Sequence, residues 1–431
     1  MDKPLPTMSA PTRRGAASAA AIDFTEFKLG WRILLLAMLG VAVNANASML
    51  YAFGSLVIPL EKAFGWARGD LQSAISFLFA GAVLGSQIVG WLNLRYGMRL
   101  VTCVSLISLS LVFVATTQMG SSIVWLYVFF TLLPIASLGT MQVTWTHLVN
   151  LWFVRNRGLG LALVLCGTGL SASLLPSAVT WAVERWNWQA AFVLLAVLPV
   201  GLVLPFALRW MTTPADTAPL PQGKGRTPAH EAAPAAGIAF GDGIRSAKFW
   251  FLNLALSLVV ASVVTMVTNT VPLLRDKGLS AADASTVFGS FGVSLIAGRI
   301  VVGYLIDRLW APGVAAVVLA LPALGCLLLG TSGAGDIGAL IVATLLIGIG
   351  AGAEFDIAAY LVARYFGMRD YGRLFGIHLG LITIASTLAP WLFGALYKST
   401  GSYAAMLTLC ASAFLAGALM LPPLGRYPRF G

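Results

Sequence analysis

The chain has little charge: of its 431 residues only 10% are Asp, Glu, Lys or Arg, while 58% are hydrophobic. A soluble domain carries about 25% charged residues. The groups that would make a water-facing surface are missing, and lipid is the solvent that suits such a chain. Histidine is scarce as well, with three copies, and HExxH, GxxxxGK[ST] and GxSxG arrangements are absent. The sequence therefore carries no signal for a hydrolase or an ATP-driven pump, and it does not read as an enzyme. The four cysteines, Cys103, Cys166, Cys326 and Cys410, lack CxxC spacing and stand inside apolar runs. They read as small packing residues, and neither a metal nor a cofactor is expected. The net charge of +11 raises nucleic acid as a partner. The basic residues, however, are scattered at the ends of apolar runs without interleaved aromatics, which excludes that partner.

What the sequence does have is a succession of apolar runs, each long enough to cross roughly 30 Å of hydrocarbon at 1.5 Å per residue. They cover 33–60, 71–94, 100–118, 124–149, 158–183 and 189–211, then 249–273, 284–306, 312–329, 337–362, 374–396 and 403–421. The reading is an all-α membrane protein of twelve transmembrane helices in two six-helix bundles, 31–211 and 247–424. Residues 1–30 read as a disordered tail without the apolar core of a signal peptide. Residues 212–246, rich in Pro, Gly, Ala and charge, read as a flexible linker, and 425–431 as a second tail.

The halves repeat one another. Gly90 in GWLNLRYG precedes Gly303 in GYLIDR by 213 positions, Arg157 precedes Arg373 by 216, and two AAF/AAM segments are 214 apart. A near-constant offset of half a chain indicates two related, pseudo-symmetric bundles. An even number of spans puts both tails and the linker on one side, and that side collects 20 of the 27 Lys and Arg residues. The other side holds Lys62, Arg68, Arg185, Arg275, Lys277 and Lys398, and Arg299 lies within a span. By the positive-inside rule both termini are cytoplasmic. The short loops point to a plasma membrane, that of a bacterial inner membrane by economy.

Two six-helix halves joined in this way resemble the major facilitator superfamily. The resemblance rests first on the loop after the second helix of each half, a Gly-x-Leu-x-Asp-Arg-type turn. Gly303, Asp307 and Arg308 match it in the second half. Gly90, Arg95, Gly97 and Arg99 match it in the first, with Leu94 where the family has an acid. That acid is implied to help latch the halves in the outward-open state, so one latch is altered here. Within the superfamily four stretches are similar to the oxalate:formate antiporter and monocarboxylate transporter branch. They are YAFGSLVIPLEKAFGWARGDLQSA (51–74), WF-x3-RG-x-G (152–160), GRIVVGYLIDR (298–308) and YLVARYFGMRDYGRLFG (360–376). The motifs say nothing of the substrate.

Arg299 is the most informative residue. A charged side chain in mid-span costs from about 3 to more than 10 kcal/mol, so it faces the bundle interior or a wet cavity. Its guanidinium matches a carboxylate in two parallel hydrogen bonds. In the resembling transporters an arginine at this place binds the substrate carboxylate; the alternative is a structural arginine paired with an acid. The resemblance places His378 where oxalate:formate antiporters carry a lysine, which makes it a second anion-binding and proton-coupling candidate. Against that stands a neutral histidine hydrogen-bonded between helices.

Glu354 and Asp356 are two residues apart, about 200° around a helix, so they do not face one cavity together. One can carry a proton while the other pairs elsewhere, or one can neutralise Arg299 in the empty state. In the first half Asn44, Asn46, Tyr51 and Trp145 offer polar atoms or apolar faces opposite Arg299. Tyr51, Trp145 and Asn44 are taken as candidate substrate contacts, against the plainer reading of helix packing. His147 belongs with the gate, as do Arg157 and Arg373. Pro176 and Pro390 are expected bending points. The proton-handling lysine and aspartate of monocarboxylate transporters are replaced by Ser55 and Leu295, so their relay is absent. Gly158, Gly160, Gly167 and Gly169 do not complete the pattern of drug exporters, whose Gly-Pro pair falls on Ser171 and Ala172.

The expected function is secondary transport of a small organic anion, a carboxylate by preference, by alternating access around a midplane site. Proton symport and anion exchange both remain open. The partners are the anion, protons or a counter-transported anion, and the lipid bilayer. The alternatives are a drug or metabolite exporter of the same fold and, from another class, a non-transporting membrane sensor.

Overall fold

A computed structural model describes residues 24–153, 156–212 and 237–428. The twelve runs become twelve helical passes. α1 consists of two segments, Phe24–Val43 and Ala45–Phe64, bent by 48° at their junction. α2 is Arg68–Tyr96, α3 Met98–Thr116 and α5 Arg157–Arg185. α4 is broken into Ile123–Ala136, a 3₁₀ turn Leu138–Thr140 and Gln142–Trp152. α6 joins Trp188–Val197 to Leu204–Trp210 through a π-helical stretch, Leu198–Val203. The second half runs α7 Ala247–Asp276, α8 Ala281–Arg308, α9 Ala311–Thr331, α10 Ile337–Phe366, α11 Tyr371–Thr400 and α12 Ala404–Leu419. Nine described helices are individually long and apolar enough to span a membrane, and the bent pair of α1 makes a tenth. The passes that fall outside that count are α2 and the broken α4.

Lipid offers a broken helix no water, so each break must find protein partners for its freed backbone groups. At the bend in α1, Asn44 caps the second segment. Its Oδ1 accepts from the Ala47 amide at 2.9 Å, and its Nδ2 donates to the Val41 carbonyl at 2.6 Å. At the break in α4, Gly139 is satisfied by α3: Thr102 Oγ1 donates to its carbonyl and Ser105 Oγ accepts from its amide, both at 2.9 Å. The bends thus lie where polar side chains repair them. At Pro176 and Pro390, the expected bending points, α5 and α11 are continuous helices.

Two boundaries differ from the sequence reading. α1 begins at Phe24, inside the stretch read as a disordered tail, and residues 1–23 lie outside the described residues. Of the linker, 213–236 lies outside the described residues, but its last ten residues are ordered. A short helix, Phe240–Arg245, docks on the α10–α11 turn. There the Phe240 amide donates to Asp370 Oδ2 at 2.9 Å, and the Arg373 guanidinium lies 4.0 Å from the Phe240 ring centroid. Composition announced flexibility, and these side-chain contacts overrode it.

The halves meet chiefly along two seams, α5 against α8 and α2 against α11, with a smaller contact of α1 against α7. The two seams exchange under a two-fold relation that maps the first half onto the second. We call the side of the tails and linker the terminal face and the opposite side the far face. At the far face the seams are closed. Gly69 on α2 lies against Gly394 on α11 so tightly that a Cβ on Gly69 would stand 2.5 Å from the Gly394 carbonyl oxygen. Arg68 binds Glu61 at 2.8 Å and reaches across to Asp276, while Lys398 pairs with Asp70. Thr180 and Ser285 share a hydrogen bond of 2.5 Å across the other seam. Toward the terminal face, Gly158, Gly303, Gly372 and Gly376 on the same helices have open space where a Cβ would stand. The chain is closed at the far face and parted toward the terminal one.

Candidate functional site

Midway through the membrane span a polar cluster interrupts the apolar interior. Close packing between α8 and α10 builds half of it. Gly352 lies so near the Leu295 carbonyl that a side chain there would clash at 2.1 Å. This approach sets Arg299 of α8 beside the two acids of α10. Arg299 is buried, and its Nη1 is 3.8 Å from Asp356 Oδ1, too long for a hydrogen bond. Its Nε and Nη1 are buried without a hydrogen-bond partner, and so is Glu354 Oε2. Asp356 is partly exposed, at 31%, whereas Glu354 is buried. Both acids lie within electrostatic reach of Arg299. Asp356 is the nearer of the two, and the acids do not share one face of α10.

The first half contributes the rest. Tyr51 on the second segment of α1 packs its ring 6.2 Å from that of Phe291 on α8. Its hydroxyl contacts Thr168 of α5 and lies within electrostatic reach of Glu354 and Arg299. Cys166, two residues earlier on α5, lies within electrostatic reach of Arg299 and Asp356. The site therefore joins α1 and α5 of one half to α8 and α10 of the other. Thr168 and Cys166 were missed by the sequence reading. The signal available was a polar Thr between Gly167 and Gly169, read only as part of a glycine-rich helix surface.

Three expected contacts are placed elsewhere. Trp145 is fully buried within the first half, its Nε1 donating to the Thr140 carbonyl at 3.0 Å. Its indole fills the space over Gly40, where a Cβ would stand 2.2 Å from the ring. It packs within the core of the first half. Asn44 is engaged at the bend in α1, with one hydrogen bond at each end of its amide. His378 is buried on α11 with Nδ1 2.7 Å from Asn253 Oδ1 of α7. That is the interhelical hydrogen bond weighed against its site reading. His147 is exposed near the terminal-face end of α4, and Asn46 is half-buried with Oδ1 unpartnered.

The terminal-face motif is only partly engaged. Gly97, with φ of +80°, makes the tight α2–α3 turn, a backbone conformation that suits glycine. Arg95 lies over the Trp91 and Tyr96 rings, Arg99 donates to the Leu208 carbonyl, and Arg308 sits 3.5 Å over Tyr304. Asp307 is exposed and forms no ion pair among the described residues. Arg373 pairs with Asp370 at 3.8 Å. Gly90 and Arg157 lie in α2 and α5, and their surroundings fall outside the described residues.

Comparison with known proteins agrees with this architecture. The chain is 26% identical to human monocarboxylate transporter 11, over 91% of this chain and 82% of that one. It is 25% identical to a gallate transporter of Pseudomonas putida, over 89% and 91%. Among solved structures it superposes on the inward open conformation of the xylose transporter XylE from E. coli with a TM-score of 0.71. The sequence identity is 14%, and 93% of this chain and 97% of that one are covered. The crystal structure of a D-xylose-proton symporter gives 0.70 at 13% identity, covering 92% and 98%. At such identities the structural likeness concerns the fold alone. The sequence profile of the Major Facilitator Superfamily matches residues 34–335. Twelve apolar passes, two pseudo-symmetric bundles and a polar midplane cluster between them are what that match would require, and the chain is a multi-pass membrane transporter belonging to the Major Facilitator Superfamily.

Proposed function

We propose that this transporter carries a small organic anion, a carboxylate, by alternating access, as proton symport or as anion exchange. The observation that carries this reading is Arg299. A guanidinium in mid-membrane demands compensation, yet two of its nitrogens have no hydrogen-bond partner and its nearest acid stands 3.8 Å away. A carboxylate entering the cluster would supply the missing acceptors. Asp356 holds the cation in the empty state and yields to the substrate. Glu354, with one oxygen unpartnered, is the group to which a proton would be added or from which it would be lost. Tyr51 and Thr168 bring the first half to the same anion, so that binding favours closure of the parted terminal-face end. His378 is assigned to the α7–α11 contact. The names of the monocarboxylate and gallate transporters point to the same substrate class.

The terminal face is the cytoplasmic one by its excess of Lys and Arg, in a plasma membrane, with the bacterial inner membrane as the simplest setting. Thermal unfolding of the purified protein with a panel of small carboxylates and neutral analogues tests the reading. A bound acid raises the melting temperature by mass action, and Arg299→Lys should remove the rise. Stabilisation by neutral or cationic compounds but by no carboxylate would replace the reading with an exporter.

A further inference from the structure

Acid and base stand side by side at the far-face ends of α1 and α7, as Glu61-Lys62 and Arg275-Asp276. Both acids are taken by Arg68. The two bases turn to a separate cavity of about 410 Å³ between the halves. Lys62 is exposed and has no ion pair among the described residues, and Arg275 is half-buried with Nη1 donating to the Leu279 carbonyl at 3.3 Å. The cavity walls are mainly apolar, including Ile58, Pro59, Val183 and Trp188, and Glu184 is the one acid among its lining residues. Ser55 closes its inner end, one turn along α1 from Tyr51. The cavity therefore lies on the far-face side of the same path that leads to Arg299.

We propose that this cavity is a second binding site, for a monoanion with an apolar body such as an aromatic carboxylate. Each half supplies one cation, their neighbours Glu61 and Asp276 are committed to Arg68, and Glu184 alone opposes the two, which leaves a net positive charge for a monoanion. Small-molecule sites combine mostly apolar walls with a few placed charges, and this cavity has that composition. Its assignment to transported acids rests on the anion reading of Arg299. It would receive such acids while the path to the midplane is shut.

The test uses benzoate as probe, measured by equilibrium dialysis on the full chain in phosphatidylcholine nanodiscs. In Arg299→Lys protein a benzoate site should remain. Lys62→Gln and Arg275→Gln should each weaken that remaining site about fivefold. Ala63→Trp, which fills the cavity without changing charge, should abolish it. Benzyl alcohol should not compete. If Arg299→Lys removes all benzoate binding, the second site is overturned while the midplane reading stands. If binding ignores Arg299→Lys but responds to the cavity variants, the midplane reading falls and the second site stands. Benzoate that does not bind at all, or that binds regardless of the cavity variants, overturns the proposal. Displacement of benzoate by phosphatidylglycerol would reassign the cavity to a lipid headgroup and also overturn it.

Discussion

Arg299 is held by one acid at a distance that leaves room for another. Asp356 and a substrate carboxylate compete for the same guanidinium, so Asp356→Asn should tighten carboxylate binding about tenfold and slow release. Equilibrium binding and counterflow rates, measured on one preparation, separate the two effects. Weaker binding in that variant would show that Asp356 helps hold the ligand and does not compete with it. At Trp145 the expectation is the reverse. Loss of a fully buried indole should cost about 3 kcal/mol or more of stability, seen as a lower melting temperature. The increment in melting temperature produced by carboxylates should not change. At this scale the sequence revealed the charges and little of their neighbours. A cation in an apolar run is conspicuous in any window, whereas Thr168 and Cys166 acquire meaning only when α5 crosses beside α8.

Among the elements, α1 and α4 show how a span is broken without exposing backbone to lipid. Asn44→Ala removes the cap of the second α1 segment and should cost about 1 kcal/mol. Thermal unfolding in detergent measures this, and Asn44→Ser, which keeps an acceptor at the cap, should recover most of it. The α2–α11 seam is governed by size. With Gly69 against the Gly394 backbone, Gly69→Val cannot be accommodated by a flexible side chain, because the obstacle is a carbonyl oxygen. This variant should hold the far face apart, read as faster labelling of a cysteine introduced at Ser55 by a membrane-impermeant thiol reagent. Unchanged labelling would mean that the seam re-forms elsewhere.

For the whole molecule, the far-face ion pairs bias the two halves toward the closed-far, open-terminal arrangement. Glu61, Arg68 and Asp276, with Lys398 and Asp70, link four helical ends, those of α1 and α2 in one half to those of α7 and α11 in the other. Partly exposed pairs are worth about 1 kcal/mol or less each. Arg68→Ala should therefore shift the population of far-face-open molecules by about fivefold, and raised salt should act in the same direction. Distance measurements between spin labels on the far-face ends of α2 and α11 would read the shift. A distribution indifferent to both changes would mean that the glycine contact alone closes that face.

By itself the sequence determined the solvent, the number of passes, the repeat and the charge that has to be compensated, because each follows from local composition set against the thickness of a bilayer. The similarity of the halves was equally legible, since a constant offset survives in the residues themselves. Only the tertiary structure decided which polar residues meet. It brought Asp356 to 3.8 Å from Arg299 and Glu354 within its electrostatic reach, committed Asn44 to a bend and Trp145 to the space over Gly40, and tied His378 to Asn253. It also paired Glu61 and Asp276 through Arg68. The physical reason is that a buried polar group must be satisfied by whatever lies nearest in space: for Asn44 and Trp145 that is a break in their own pass, and for His378 and Arg68 a different pass more than a hundred residues away along the chain.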